Sequence, residues 1–416
     1  MLKKIFYKRT ICRICNSKRL SLVYRNRPSP IGEAFLKKKR NILTQKNYPI
    51  NLYICKKCGL AQLLDIIYPN VVYKNYLYYT KTSIDLKNHF KEYALDIKKK
   101  KKLNSKSLII DIGSNDGTLL NNFKSKQNVI GIEPAKQISN DCNKRGIKTI
   151  NSFLNEKSKN LILNKFGKAD VITANNVIAN IDNLQEAFKL IKLLMKDDGI
   201  FVFESYYLVN IIKNRVFDFI YHEHLSSFAI KPISFICRQY DLEIFDIKKI
   251  KTKGGSLRFY IKKKTKKIEY KKISKLLSYE KKFGIFKKKT FFELEEYVNE
   301  QNKKCYNFLN KHQKYFDRLV GIGASISCIT LMYKFRLEHK ITFLVDDNLI
   351  KRNMFSPGSN IKIINFKDYE EKKQKKDILL ILAWRFSNQI LKKHNLEKLG
   401  IYKIIRLMPK FEILCK

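Results

Sequence analysis

From Ser107 to Glu204 the sequence alternates short β-branched apolar runs with amphipathic segments, and this alternation restricts the fold more than any other feature. Strand-like runs lie at Ser107–Ile112, Asn128–Glu133, Ile147–Asn151, Asp170–Ala174 and Gly199–Glu204. Between them, Asn183–Met195 sets Leu184, Ala187, Phe188, Ile191, Leu194 and Met195 at helical spacing. Repetition of this βαβ type predicts an α/β, doubly wound parallel sheet. A glycine-linked pair of apolar runs, Leu242–Ile250 and Ser256–Ile261, ends the pattern as a hairpin across Gly254-Gly255. Residues 263–312 are rich in Lys and Glu, and Leu294, Tyr297, Val298, Cys305, Phe308 and Leu309 keep helix spacing. A smaller βαβ pattern follows at Arg318–Ile322, Thr342–Val345 and Asp377–Ala383. The expected organisation is therefore a small module over 1–75, the doubly wound domain over 76–262, a helical connector over 263–312 and a second, Rossmann-like α/β domain over 313–416.

Residues 1–75 carry four of the nine cysteines as two pairs, Cys12-x-x-Cys15 and Cys55-x-x-Cys58. Each pair can form a knuckle that aims two thiolates at one point, and two knuckles supply the Cys₄ tetrahedron zinc favours. With all four positions filled, the zinc is structural and leaves no place for a reacting water. A redox CxxC would need a thioredoxin-like βαβ context, which this stretch lacks.

The net charge of +48 raises nucleic acid as a partner. The basic residues are mostly Lys, however, and spread along the whole chain amid Ile and Asn, the pattern AT-rich coding produces without selection for binding. They read as solvated faces, with a positive field that also suits an anionic small substrate. No apolar run approaches the roughly 18 residues of a membrane span, and the first residues lack the apolar stretch of a secretory signal. A cytoplasmic protein without membrane attachment is expected, most simply a monomer.

Asp111-Ile112-Gly113-Ser114-Asn115-Asp116-Gly117 closes the first strand of the sheet. Glycine permits the sharp turn and close approach of a ligand. Glu133, about 20 residues past Gly113 at the end of the second strand, can accept both ribose hydroxyls of a nucleoside. The spacing departs from G-x-G-x-x-G, and Asn115-Asp116 would repel a pyrophosphate but suit a cationic sulfonium. The closing hairpin likewise fits an S-adenosylmethionine-dependent methyltransferase better than a nicotinamide dehydrogenase or epimerase. The second chemical cluster is Phe217-Asp218-Phe219-Ile220-Tyr221-His222-Glu223-His224, which holds two of only six histidines beside a tyrosine and a carboxylate. Histidine is the natural general base near neutral pH, and a Tyr hydroxyl can donate to a developing oxyanion. Lys253-Gly254-Gly255-Ser256-Leu257-Arg258 can bring backbone N–H groups and a guanidinium near a phosphate or sugar.

The combination resembles the C-methyltransferase family that acts on nucleotide-linked deoxy-keto-sugars. The resemblance rests on the paired knuckles, VYKNYLYYTKTS ending at Ser83, IGSNDGTLL, GIEPA, the NNV of Asn175–Val177, FDFIYHEH, GGSLR, and the later GIGAS, VDDN and PGSNI segments. It implies an N-terminal zinc module, a central class I methyltransferase domain and a C-terminal Rossmann-like domain. It implies further that Gly113, Asn115, Asp116, Glu133 and Asn175, within the Asp111–Gly117 turn and beyond, line the S-adenosylmethionine site. Tyr221, Glu223 and His224 would line the sugar, His224 being the base that removes a proton beside the ketone. His222 competes for that role. Tyr221 would steady the enolate oxygen, and Tyr76 or Tyr78 would close the pocket.

Several positions depart from the family pattern. Asn180 stands where a histidine is usual; it can hydrogen-bond but cannot shuttle a proton. Lys253 replaces another histidine, Tyr206-Tyr207 replaces Pro-Tyr, and Ser325-Ile326-Ser327 lacks the usual lysine. The alternative reading keeps the cofactor domain but methylates oxygen or nitrogen of another small molecule or of RNA.

Overall fold

The computed structural model describes residues 5–40, 45–73, 79–80, 84–264 and 270–415. Its central sheet has seven strands, in the order Leu242–Ile250, Ser256–Lys263, Met195–Tyr206, Ala169–Asn175, Leu108–Ile112, Asn128–Ile132 and Thr149–Ile150. The five strands from Met195–Tyr206 to Thr149–Ile150 are mutually parallel, and Ser256–Lys263 runs antiparallel to both of its neighbours. This is the doubly wound sheet with a terminal hairpin that the sequence pattern predicts. Helices on both faces explain why Leu108–Ile112 is buried at every position instead of alternating. Phe203 stacks between Phe201 and Phe259, at 5.3 and 4.7 Å between ring centroids, and locks the hairpin onto the parallel strands.

The helix Leu184–Leu194 begins where the Asn183 side chain accepts the Glu186 N–H. Residues 271–311 form two helices, Lys271–Phe283 and Lys288–Lys311, separated at Gly284, whose φ of +75° ends the first. The second α/β sheet has the order Lys362–Ile364, Ile341–Val345, Arg318–Ile322, Asp377–Ile381, Lys403–Arg406 and Glu412–Cys415. All its pairs are parallel except the last.

The cysteine-bearing module builds a four-stranded sheet of Leu20–Tyr24, Leu52–Cys55, Ala61–Leu63 and Ser226–Ser227. Its outermost strand therefore comes from the central domain, from the residues just after His224. One continuous buried cluster runs from Ile14 in the first knuckle through Phe203 and Phe228 to Leu331 and Met332 of the second α/β domain.

Candidate active site

A cleft of about 1680 Å³ opens at the C-terminal ends of Leu108–Ile112 and Ala169–Asn175, where open parallel sheets bind ligands. Gly113 turns the chain there at φ +65°, and a Cβ would sit 2.3 Å from Val177 Cγ2, so no other residue fits. Asn115 also takes a left-handed φ of +47°. Glu133 braces the turn. One of its oxygens accepts the Asn115 N–H and the other the Ala135 N–H, each at 2.9 Å. Burial pushes its carboxyl upward, opposed by those two bonds. Each oxygen keeps acceptor capacity toward the cleft it lines.

Asp111 lines the same end and accepts the Thr173 hydroxyl at 2.6 Å; burial pushes its pKa up to about 7. Asn175 has both amide atoms buried without a partner among the described residues. An amide buried this way on a cleft wall is costly unless a ligand satisfies it. Asp111, Asn175 and Glu133 together offer acceptors and a donor suited to an amino acid and a ribose, so the residues present fit S-adenosylmethionine. Asp116 turns away from the cleft: it is fully buried and accepts the Thr118 N–H at 3.2 Å. Gly117, at φ +72°, backs the turn against Ile147.

Beyond this end the cleft is lined by Asn180, Tyr221, Glu223 and His224. Residues 221–224 form a tight turn closed by the His224 N–H on the Tyr221 carbonyl at 2.9 Å. The turn stacks the two rings at 4.0 Å and puts the Tyr221 hydroxyl 2.9 Å from His224 Nε2. His224 Nδ1 lies 2.8 Å from the Phe219 carbonyl. A carbonyl only accepts, so Nδ1 carries the proton, and Nε2 of the neutral ring is the basic nitrogen. Burial and the neighbouring Glu223 carboxylate push the Tyr221 phenol well above its ordinary value, so it remains a donor. Asn180 faces the Tyr73 hydroxyl, whose pKa is raised by burial and by Glu223. His222 points the other way. It is buried, bonds the Tyr48 carbonyl at 3.1 Å, and burial lowers its pKa to about 4. Tyr76 and Tyr78 lie outside the described residues.

Arg258 does not reach the cleft, contrary to what its glycine hairpin suggested. It is buried against the Tyr93 ring and bonds Glu204 at 2.6 Å and Asp96 at 2.6 Å. Glu204 and its partner His89, 2.7 Å apart, do line the cleft. His89 stands alone in the sequence, so only the fold could reveal this pair. The far end is lined by Asn210, Lys213, Arg215, Ser325, Ser327 and Arg385. Arg385 bonds Asp218 at 2.6 Å and Ser327 at 3.1 Å, joining the FDFIYHEH segment to the second α/β domain.

The four sulfurs of Cys12, Cys15, Cys55 and Cys58 lie within 4.8 Å of one another. The Cys15 and Cys55 sulfurs are 3.4 Å apart and those of Cys12 and Cys58 3.5 Å. A tetrahedron with Zn–S bonds of about 2.3 Å has edges of about 3.8 Å, so the cluster fits zinc with little adjustment. Burial pushes the Cys15 thiol up, and four thiolates this close need a cation between them.

Comparison with known proteins assigns each part. Residues 12–73 match the family model of a zinc binding domain. Residues 86–246 match a methyltransferase domain and residues 251–409 a C-methyltransferase C-terminal domain. The C-methyltransferase NovU of Streptomyces niveus is 24% identical over 386 residues, covering 91% of each chain. Among solved structures, an S-adenosylmethionine-dependent methyltransferase from Clostridium acetobutylicum aligns over 44% of this chain and 94% of its own, with 14% identity and a TM-score of 0.34. Magnesium protoporphyrin IX methyltransferase of Synechocystis aligns over 45% and 89%, with 11% identity and a TM-score of 0.34. No described helix is long and apolar enough to cross a membrane.

Proposed function

We propose that this chain, which belongs to the S-adenosylmethionine-dependent C-methyltransferases, methylates the carbon beside the ketone of a nucleotide-linked deoxy-keto-sugar. The observation that carries the reading is the orientation of His224, whose Nδ1–H is committed to the Phe219 carbonyl, making Nε2 the basic nitrogen beside the Tyr221 hydroxyl. S-adenosylmethionine supplies, when bound, a methyl group on a cationic sulfur. Asp111, Gly113, Asn115, Glu133 and Asn175 hold that end. A keto-sugar set from the cleft against the Tyr221 hydroxyl and His224 Nε2 displaces the hydrogen bond between them and gives its C–H proton to Nε2. The C–H electrons form the enolate, and the Tyr221 O–H donates to the enolate oxygen. A ketone is required because only an adjacent carbonyl makes a C–H acidic enough for imidazole. The basic side chains of Lys213, Arg215 and Arg385 at the far end favour an anionic acceptor such as a sugar nucleotide. Among the described residues eight cysteines are buried or half-buried without a disulfide, four of them gathered in the Cys₄ cluster, which suits a reducing cytoplasm.

Mass spectrometry of nucleotide keto-sugars incubated with methyl-labelled S-adenosylmethionine tests the reading. The label is expected on carbon; label on oxygen or nitrogen would overturn it.

Two predictions concern the cofactor end. Glu133→Ala should weaken S-adenosylmethionine binding by about 1–3 kcal/mol, the range for hydrogen bonds to a charged group; unchanged affinity by calorimetry would remove Glu133 from the site. Asp111 titrates near 7 in the folded protein against about 3.9 in the unfolded chain. The folded state holds the extra proton, so this group's contribution to stability declines as pH rises from about 4 to 7 and is level above that. A cationic ligand favours the ionised carboxyl. Its affinity should therefore rise by up to about tenfold per pH unit toward 7, and Asp111→Asn should flatten that slope.

A further inference from the structure

We propose that the cysteine module is a wall of the reaction cleft and that Arg13, between the first two cysteines, is a positioning residue acting through it. Arg13 donates no ligand to a metal, yet it is fully buried. Its Nε bonds Asp182 Oδ1 at 3.0 Å. Its Nη1 bonds the Leu63 carbonyl at 2.6 Å and Gln62 Oε1 at 3.2 Å. Arg9, at 2.9 Å, and the Tyr7 hydroxyl complete the set around Asp182.

Asp182 lines the cleft two residues after Asn180. The turn Ile178–Asn180 is thus followed directly by two anchors, Asp182 gripped by the first knuckle and Asn183 capping the next helix. The other grip of Arg13 falls on the strand Ala61–Leu63, against which the segment just after His224 is paired. Gln62 pairs with Ser226 and Ala61 with Ser227. The Leu63 N–H bonds the Leu225 carbonyl at 2.9 Å. One guanidinium therefore spans the two segments that bring Asn180 and His224 to the same cleft. Because a displacement of about 1 Å at such groups can cost roughly a hundredfold in rate, the order of the knuckle becomes the order of the site. The inference rests on the reading of this cleft as the place of methyl transfer.

The test uses the full-length protein and Arg13→Met. Zinc content should stay near one per chain and S-adenosylmethionine affinity within about twofold, while turnover falls roughly ten- to a hundredfold. Hydrogen exchange should quicken in peptides covering 175–183 and 220–228 and stay unchanged over 108–135. Chelation of the metal should reproduce that exchange pattern. Combining Arg13→Met with Asn180→Ala should cost little more than the worse single change, because both act on one unit. If Arg13→Met does not fold, Asp182→Asn takes its place, with a smaller, several-fold loss and the same exchange pattern. Unchanged exchange at 175–183, or strictly additive losses, would overturn the proposal. Failure to find any C-methyl product would overturn the functional reading alone, since the exchange result needs no acceptor.

Discussion

His224→Ala is expected to lower turnover by about 10²–10⁴-fold, the usual cost of removing a general base, while S-adenosylmethionine affinity stays unchanged. The expectation follows from division of labour along the cleft. The proposed cofactor end lies at strand termini, at Asp111, Glu133 and Asn175, whereas His224 sits on a separate turn held by Phe219 and Tyr221. His222→Ala makes the instructive control. That imidazole faces the Tyr48 carbonyl away from the cleft and is neutral at working pH. Its loss should lower stability by about 1–3 kcal/mol for the stranded carbonyl and reduce turnover far less. The sharper readout is exchange of the substrate's C–H with solvent deuterium, measured with a cofactor analogue that cannot transfer methyl. Wild type should exchange at the carbon beside the ketone, and His224→Ala should not. Exchange that persists in His224→Ala would move the base to another residue.

Much of this architecture was legible because two periods differ. The runs at Ser107–Ile112 and Arg318–Ile322 are short, β-branched and continuous, as strands covered on both faces must be, while Leu184 to Leu194 keeps helical spacing. Strands such as Lys362–Ile364 and Lys403–Arg406 escaped because a few apolar residues among lysines carry no period. The chemistry of FDFIYHEH was legible from its rare histidines, but the turn that assembles it was not. Tyr221 and His224 meet through a turn spanning three residues, and alternation alone would not have stacked them. Arg258 was misplaced for a related reason. A guanidinium after a glycine hairpin suggests a ligand contact, but Ser256–Lys263 is an inner strand, and its neighbours supply Glu204 on one side and, across the sheet face, Asp96. The links Arg13–Asp182 and His89–Glu204 join residues more than a hundred positions apart. No local pattern encodes such pairs; only the packing of the cysteine module and the helix Ile84–Lys100 against the central sheet creates them.

Removing the metal should have the largest effect on stability. Purified protein is expected to carry about one zinc per chain, and Cys55→Ser should lose it. Structural zinc in comparable four-ligand sites contributes on the order of 10–16 kcal/mol of apparent binding energy at neutral pH, well beyond what a module of this size draws from its core. Cys55 ends the strand Leu52–Cys55, which pairs with Leu20–Tyr24 and Ala61–Leu63. Loosening that knuckle therefore unties the sheet to which Ser226–Ser227 is added. The central sheet does not depend on it for strand pairing, since all seven of its strands come from residues 108–263. Calorimetry should then show two events in Cys55→Ser where wild type shows one: an early loss of the module, accompanied by loss of turnover, and a later transition that S-adenosylmethionine still raises. Full stability and turnover in a preparation shown to be free of metal would sink the structural role of zinc. Loss of the cofactor-sensitive transition as well would mean that the central domain cannot fold without the module.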